Sequence, residues 1–350
     1  SSEGQGTVVL RPQRFFDTLL YTGNGTTGQS ITGLEFPPSL VWIKSRSFSN
    51  NHHIFDTLRG PDKILRPSST DAESTVTDVM SSFNSGGFTV KEGGGNNATN
   101  DDGSTFAAWC WKAGDAAVTN NDGSVTSQVS ANRESGFSIV TYSGSNDSTV
   151  TFGHGLGVAP EVVFIKRRNN ANGWRVYHHS VGLGHYLSLS NTNAQNASAQ
   201  DFASVSSTTF GIKGGYNPVS INGGTYVAYC WHSVPGYSKM GVYRTNGNAN
   251  GPYEHLGFKP AWIMIKNYTG SKPWYIIDNK RSPHNERKVS LKLNTSGDQT
   301  DSNFIDFYSM GFKLRTTGGD VNGNNTDRVM YMAFAEQSGR NEFGTFANAG

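Results

Sequence analysis

The sequence predicts an all-β protein made of three tandem copies of a β-sandwich-like module, each about 90 to 100 residues long. Three observations predict it. A string of one pattern occurs three times: LEFPPSLVWIK at 34–44, LGVAPEVVFIK at 156–166 and LGFKPAWIMIK at 256–266. The flanking landmarks repeat with it in the same order. No segment shows helical amphipathicity sustained over a dozen residues, while short apolar runs alternate with Gly/Asn-rich reversals.

Each copy opens on a Tyr strand followed by a Gly/Asn turn, at Tyr21, Tyr142 and Tyr243. Next comes the repeated string, a Leu, a turn, a Pro and an apolar run ending in Ile-Lys. An apolar run of this kind suits a core strand covered on both faces. Its Lys (44, 166 or 266) is expected to emerge at the strand exit. Eight residues past the Lys stand His52, Trp174 and Trp274, and twelve past it stand Asp56, His178 and Asp278. A Phe-x-apolar triplet follows, with Phe88, Phe210 and Phe312 lying 50, 50 and 52 residues after Pro38, Pro160 and Pro260. Each copy closes on an aromatic strand: FAAWCW at 106–111, YVAYCW at 226–231 and YMAFAE at 331–336.

These landmarks divide the chain into an N-terminal arm (1–18), module one (19–113), a connector (114–135), module two (136–232), a short connector (233–241), module three (242–337) and a tail (338–350). In module one, strands are expected at 19–22, 40–45, 53–56, 88–90 and 106–111, with a turn or two of helix over 71–83. The arm segment RPQRFF, 11–16, is expected to pack back on module one, and the tail reads as loose. The alternation Val125, Ser127, Val129 suggests a short extended strand in the first connector, or a connector lying on the surface. Gly25 and Gly247 read as hairpin turns that need positive φ.

Composition narrows the function classes. The 42 glycines among 350 residues, clustered with Asn, Ser, Thr and Asp, supply the turns that many short strands require. Charged residues make up 16% and the formal net charge is +2, with no Lys/Arg cluster for a nucleic-acid surface. No run of 18 apolar residues exists for a membrane helix. The start lacks both Met and a secretion-signal pattern, so the sequence reads as part of a longer chain. Cys110 and Cys230 share one repeat position, where module three has Ala335; they read as two buried thiols.

Catalytic patterns are weak. No HExxH motif, cysteine cluster or Gly-rich nucleotide loop in strand–turn–helix context is present, and no metal ligand set is assigned. The Asp/Asn/Gly loops at 93–104, 119–124 and 318–327 have two readings: a calcium site using Asp101, Asp102, Asp320 or Asp327, or plain turns. Asp56 with Arg59 recurs as Asp278 with Arg281, as a polar ligand site or as a structural ion pair; module two has His178 and Val181 there. Trp174 and Trp274, with His52 as counterpart, have two readings as well: a stacking platform for a sugar ring, or a cap on a sandwich core. The candidate ligand-binding residues are therefore Trp174, Trp274, His52, Asp278 and Arg281.

Long strings of this sequence, among them YTGNGTTGQSITGLEFPPSLVWIKSRS, DGSVTSQVSANRESGFSIVTYSG, GHGLGVAPEVVFIKRR and YVAYCWHSVPGYSKMG, resemble a family of uncharacterised tailed-phage proteins common in phages of marine and freshwater bacteria, cyanobacteria included. Its members are described as virion structural or tail-fibre-like proteins, and the resemblance runs from about Arg11 to Gln337. The resemblance implies a non-enzymatic component on the outside of a phage particle, in a tail fibre or tailspike, attaching to host-surface glycan. It implies other virion proteins as partners and, by analogy with fibres, a homotrimer, with no nucleic acid and no membrane insertion. The alternatives are a capsid decoration or head-fibre protein, and a glycan depolymerase. Specific recognition is expected in the loops where the copies differ, chiefly 46–53, 167–174 and 267–274.

Overall fold

The computed structural model describes Val9 and residues 11–338. The chain is all-β, with short 3-10 turns and no α-helix among the described residues. Each module builds one large antiparallel sheet on the same plan. The closing strand lies in the middle, between the opening Tyr strand and the Lys-terminated strand. In module one the spatial order is Phe16–Thr22, Thr105–Trp111, Leu40–Ser45, His53–Asp56, Gly60–Leu65 and Ser74–Thr75. In module two, Phe137–Ser143, Thr225–Trp231, Val162–Arg167 and Arg175–His178 take the corresponding places. In module three they are taken by Ser238–Arg244, Arg328–Ser338, Phe258–Asn267 and Trp274–Asp278.

A smaller sheet faces the large one. It is Gln29–Thr32, Gly87–Val90 and Met80–Asn84 in module one, and Val150–Gly153, Thr209–Ile212 and Ser204–Val205 in module two. In module three the same three strands, Tyr253–His255, Gly311–Leu314 and Thr300–Tyr308, join the large sheet through Arg287–Lys292 to make eight continuous strands.

The apolar runs are explained by what lies on each face of the large sheet. Side chains alternate across a strand. Val41 and Ile43, with Phe106, Ala108 and Cys110, fill module one's own core. Their neighbours Leu40, Trp42, Ala107, Trp109 and Trp111 point the other way, into a core shared with modules two and three. Module two divides likewise. Val163, Ile165, Tyr226, Ala228 and Cys230 face inward, while Val162, Phe164, Val227, Tyr229 and Trp231 enter the shared core. In module three, Ile263, Ile265, Tyr331, Ala333 and Ala335 fill the local core; Trp262, Met264, Met330, Met332 and Phe334 fill the shared one. All seven tryptophans lie in the shared core. Trp111, Trp231 and Trp262, one per module, meet there, with ring centroids 6.3 Å (Trp111–Trp231) and 5.3 Å (Trp111–Trp262) apart. Each such ring removes roughly 150–250 Å² from water, about 4–6 kcal/mol of burial. The high aromatic content thus serves a fourth core between the modules, in addition to each module's own.

Several sequence expectations change. The turns of helix expected over 71–83 are strands, Ser74–Thr75 and Met80–Asn84. Val79 and Met80 are buried in module one's core, and cross-strand pairing to Lys63 and Ile64 fixes the extended backbone. The connector 114–135 carries Val118–Asn120 and Ser127–Asn132, which extend module two's sheet beyond its opening strand. The opening strand of module three begins at Ser238, inside 233–241. RPQRFF packs on module one as expected, with Arg11 Nη2 2.7 Å from Glu35 Oε2, the Lys112 N–H donating to the Phe15 carbonyl and Phe16 paired with Trp111. It also reaches module three, where Gln13 Nε2 donates to the Glu336 carbonyl, and Phe15 lies edge-on to Tyr237 at 5.9 Å. Apart from Ser338, the tail expected at 338–350 lies outside the described residues. Gly25 and Gly247 have φ of +66° and +65°. Both cysteines are free and buried.

Candidate functional site: the cyclic module junction

The residues singled out by their recurrence converge on the seams between modules. His52, Trp174 and Trp274 are fully buried. Trp174 Nε1 donates to the Arg66 carbonyl at 3.0 Å, so module two is pinned to module one. Trp274 Nε1 donates to the Ser188 carbonyl at 2.9 Å, pinning module three to module two. His52 closes the circuit. Its Nδ1 accepts from Trp42 Nε1 at 3.0 Å, which leaves the proton on Nε2, and Nε2 lies 3.1 Å from the Lys292 carbonyl of module three. Burial holds the imidazole pKa well below its usual value, so the ring is neutral and its tautomer is set by this pair of contacts. The three contacts run one to three, two to one and three to two, a head-to-tail ring closed within one chain. No face of these rings is open to a sugar: of the two readings of Trp174 and Trp274, the structure has core rings and no stacking platform.

The second set closes in the same sense. Asp278 Oδ2 accepts from Trp109 Nε1 of module one at 3.1 Å and from Arg281 Nε at 2.5 Å. Asp56 Oδ2 accepts from Tyr229 Oη of module two at 2.6 Å and from Arg59 Nε at 2.5 Å. Asp56, Asp278 and the side chains of both arginines are buried, and each guanidinium also donates to a main-chain carbonyl of its own module, Ile54 or Ile276. Trp109 and Tyr229 occupy the same place in the closing strands. The third such residue is Phe334, which has no polar hydrogen. The position facing that seam carries His178 in place of Asp, and Val181 in place of Arg. His178 Nδ1 accepts from the Ser180 N–H at 3.1 Å, so its Nε2–H is directed to the Tyr331 carbonyl at 3.2 Å. The departure in module two is therefore paired with one in module three: where the donor is lost, the carboxylate and its guanidinium are lost too. Of the two readings of Asp278 with Arg281, the structural ion pair is the one formed: the pair is inside the protein, and no polar ligand site is open there.

The loops expected to carry recognition form the third part of the seam. Arg46 Nε donates to Gln299 Oε1 at 3.0 Å, and the Asn50 N–H to the Ser296 carbonyl at 2.8 Å. Arg168 holds Glu73 through Nε at 2.8 Å and Nη2 at 3.0 Å, and Glu73 also accepts from Arg59. Burial raises the Glu73 pKa, but the two guanidinium groups outweigh it and hold the carboxyl below its usual value. The Tyr268 carbonyl accepts from the Gln195 N–H at 2.8 Å. Loops 46–53, 167–174 and 267–274 are thus bound to modules three, one and two in turn.

The Lys of the repeated string is buried in all three copies and does not emerge at the strand exit. Lys44 Nζ donates to the Ser45 carbonyl and Lys166 Nζ to the Arg167 carbonyl. Lys266 Nζ lies within hydrogen-bond distance of four carbonyls that share its three N–H groups, those of Asn267, Gly270, Lys272 and, across the seam, Thr192 at 3.0 Å. Burial lowers the pKa values to about 8, about 8 and about 7. No three His, Cys, Asp or Glu side chains gather as a metal site among the described residues. Asp320 instead accepts from Tyr275 Oη, and Asp327 from Asn267 Nδ2. Open grooves of about 580 Å³ beside Arg133, Val158 and Pro235, and about 410 Å³ beside Pro38, Leu58 and Phe83, contain none of the candidate ligand-binding residues.

Fold and site together define a closed ring of three β-modules around a common aromatic core. The chain belongs to the family described as a domain of unknown function, DUF7483, whose model matches residues 11–338. No curated protein matches the sequence. A solved structure titled "Crystal Structure of the STIV MCP" is similar over 64% of this chain and 92% of its own, at 10% identity and a TM-score of 0.18, and at that level it carries no argument.

Proposed function

We propose that this chain is a non-enzymatic structural component of a tailed-phage particle, displayed on its outer surface in a tail fibre or tailspike, where it attaches to host-surface glycan. The observation that carries the reading is the use made of the repeated polar residues. Asp56, Asp278, His52, His178 and Lys266 are spent on holding modules together, and Arg59 and Arg281 neutralise the two carboxylates. Repetition here serves mechanical integrity, and chemistry toward the outside differs from module to module. The resemblance of the long sequence strings to virion proteins supports the particle context. Under this reading the partners are other virion proteins and further copies of the chain, as a homotrimer.

Labelling of purified particles with an antibody to this chain, read by electron microscopy, tests the proposal. Label on the tail is expected. Label confined to the capsid faces favours a decoration or head-fibre protein, and absence of the chain from purified particles overturns both. Release of reducing ends from host polysaccharide by the purified chain would overturn the non-enzymatic assignment.

A further inference from the structure

The threefold repeat supplies an internal control for the outer faces of the modules. The residue after Phe88, Phe210 or Phe312 points away from the module core, and its two cross-strand neighbours complete a row. That row is Ser82–Thr89–Ser30 in module one and Ser204–Gly211–Thr151 in module two. In module three it is Asp306–Lys313–Tyr253. One step along, Asn84 opposite Gly87 is matched by Tyr308 opposite Gly311. Two modules thus carry small neutral side chains where the third carries an acid, a base and two phenols.

Tyr253 and Tyr308 are 46% and 39% exposed, the two most exposed Phe, Tyr or Trp side chains among the described residues. Their centroids are 6.2 Å apart with planes at 61°, an open V. Beside them Asp306, only 7% exposed, accepts from Tyr308 Oη at 3.1 Å through Oδ2, and the same oxygen lies 3.4 Å from Arg315 Nε. Its buried Oδ1 has no hydrogen-bond partner. A buried carboxylate oxygen without a donor is costly, and calls for a partner that the described residues do not supply.

We infer that this face of module three is a carbohydrate-binding site, and that its ligand is a neutral pyranose unit of a glycan; the assignment rests on the surface-attachment reading above. The negative face of a phenol ring is complementary to the C–H face of a pyranose, and tyrosine supplies that contact with few rotatable bonds to immobilise. Ring hydroxyls find an acceptor in Asp306 and a donor in Arg315. Asp306 and Arg315 are paired with each other and Lys313 Nζ donates to the Gly251 carbonyl at 2.7 Å, so what the face offers a ligand is the two rings and hydrogen bonds, which suits a neutral sugar. With one such site per chain, binding is weak, and affinity at a surface comes from many copies on one particle.

The test is saturation-transfer NMR on the full chain with the methyl pyranosides of glucose, galactose, mannose and rhamnose, at up to about 20 mM, where a millimolar site is saturated. At least one is expected to bind. Tyr253→Ser and Tyr308→Asn, which install the module-one residues, are expected to weaken it by about tenfold or more, with the unfolding midpoint unchanged. Ser30→Tyr in module one is expected to leave it unaltered. The site is overturned if none of the four sugars binds, or if the Tyr253→Ser, Tyr308→Asn double variant binds like the parent. A change of sedimentation coefficient in that variant, without a sugar signal in the parent, would make the patch a self-association surface and also overturn it. Sugar binding by a chain absent from purified particles would leave the site standing and remove the virion reading; a chain located in the tail that binds none of the sugars would do the reverse.

Discussion

The hydroxyl of Tyr229 donates a 2.6 Å hydrogen bond to Oδ2 of Asp56, a residue 173 positions earlier and in another module. The same oxygen receives Arg59 Nε. This carboxylate therefore ties two modules together while neutralising a buried guanidinium, and the two roles separate by mutation. Tyr229→Phe removes one neutral donor and is expected to cost about 1–2 kcal/mol. Asp56→Ala leaves the buried Arg59 with only Glu73 of its two carboxylate partners and is expected to cost more, about 3 kcal/mol. Urea unfolding of both variants measures the difference, and equal losses would contradict the dual role.

The seam between modules two and three should accept the chemistry of the other two only as a set. His178→Asp alone places a buried carboxylate beside Phe334 and Val181, with an expected loss of about 3 kcal/mol or more. Adding Phe334→Tyr and Val181→Arg restores the donor and the guanidinium, and most of the loss should return. A mutant cycle built from the single, double and triple variants reports the coupling; strict additivity would show that the three positions are independent.

Stability should rise with pH in two separate windows. The folded-state pKa of His178, lowered to about 3 by burial, lies below the unfolded value of about 6.5. Between those values the unfolded chain binds more protons, so stability is present above pH 6.5 and is lost as pH falls toward 3. The lysines behave in the same sense at higher pH. With Lys266 lowered to about 7 and Lys44 and Lys166 to about 8, stability climbs from pH 7 toward the unfolded value near 10. Each lysine contributes a slope of at most about 1.4 kcal/mol per pH unit. Lys266→Met should flatten the upper window without changing the lower one. Unfolding midpoints across pH 3 to pH 10 check both, and an unchanged upper slope in the variant would refute the lysine assignment.

A single module should not stand alone. Residues 136–232 expressed separately would expose Phe164, Val227, Tyr229 and Trp231, all buried in the shared core. That fragment is expected to aggregate or to expose apolar surface, whereas the full chain should unfold in one transition. Gel filtration and dye binding distinguish the cases, and a soluble monomeric fragment with dispersed amide resonances would contradict the shared core.

The strands were legible because both signals for them are local. LVWIK and FAAWCW read as buried on both faces, and both faces are covered. What covers the second face was not legible: Trp109 and Cys110 look alike in an apolar run, yet they enter different cores. Trp174 and Trp274 sit among polar neighbours, which suggested an outward ring, but their partners Arg66 and Ser188 are 108 and 86 positions away. One signal did point to them. Rings bearing N–H recur at a single repeat position with His52, and a feature common to all copies belongs to what the copies share. The aromatic pair on module three escaped notice for the opposite reason. Tyr253 and Tyr308 lie in no recurring motif, and only strand pairing reveals that they replace Ser30 and Asn84.

The head-to-tail seam has a consequence for how such a chain can change over time. Every module offers one half-joint and receives another, and with three modules the last half-joint meets the first. The angle of each joint fixes the copy number. A chain shortened by one module would leave two complementary halves unsatisfied and would recruit a neighbour to fill them; one lengthened by a module would have no room to close. Loss or gain of a single copy is therefore a change of assembly state, and the copies can diverge only as mated pairs across a seam, as Phe334 and His178 have done.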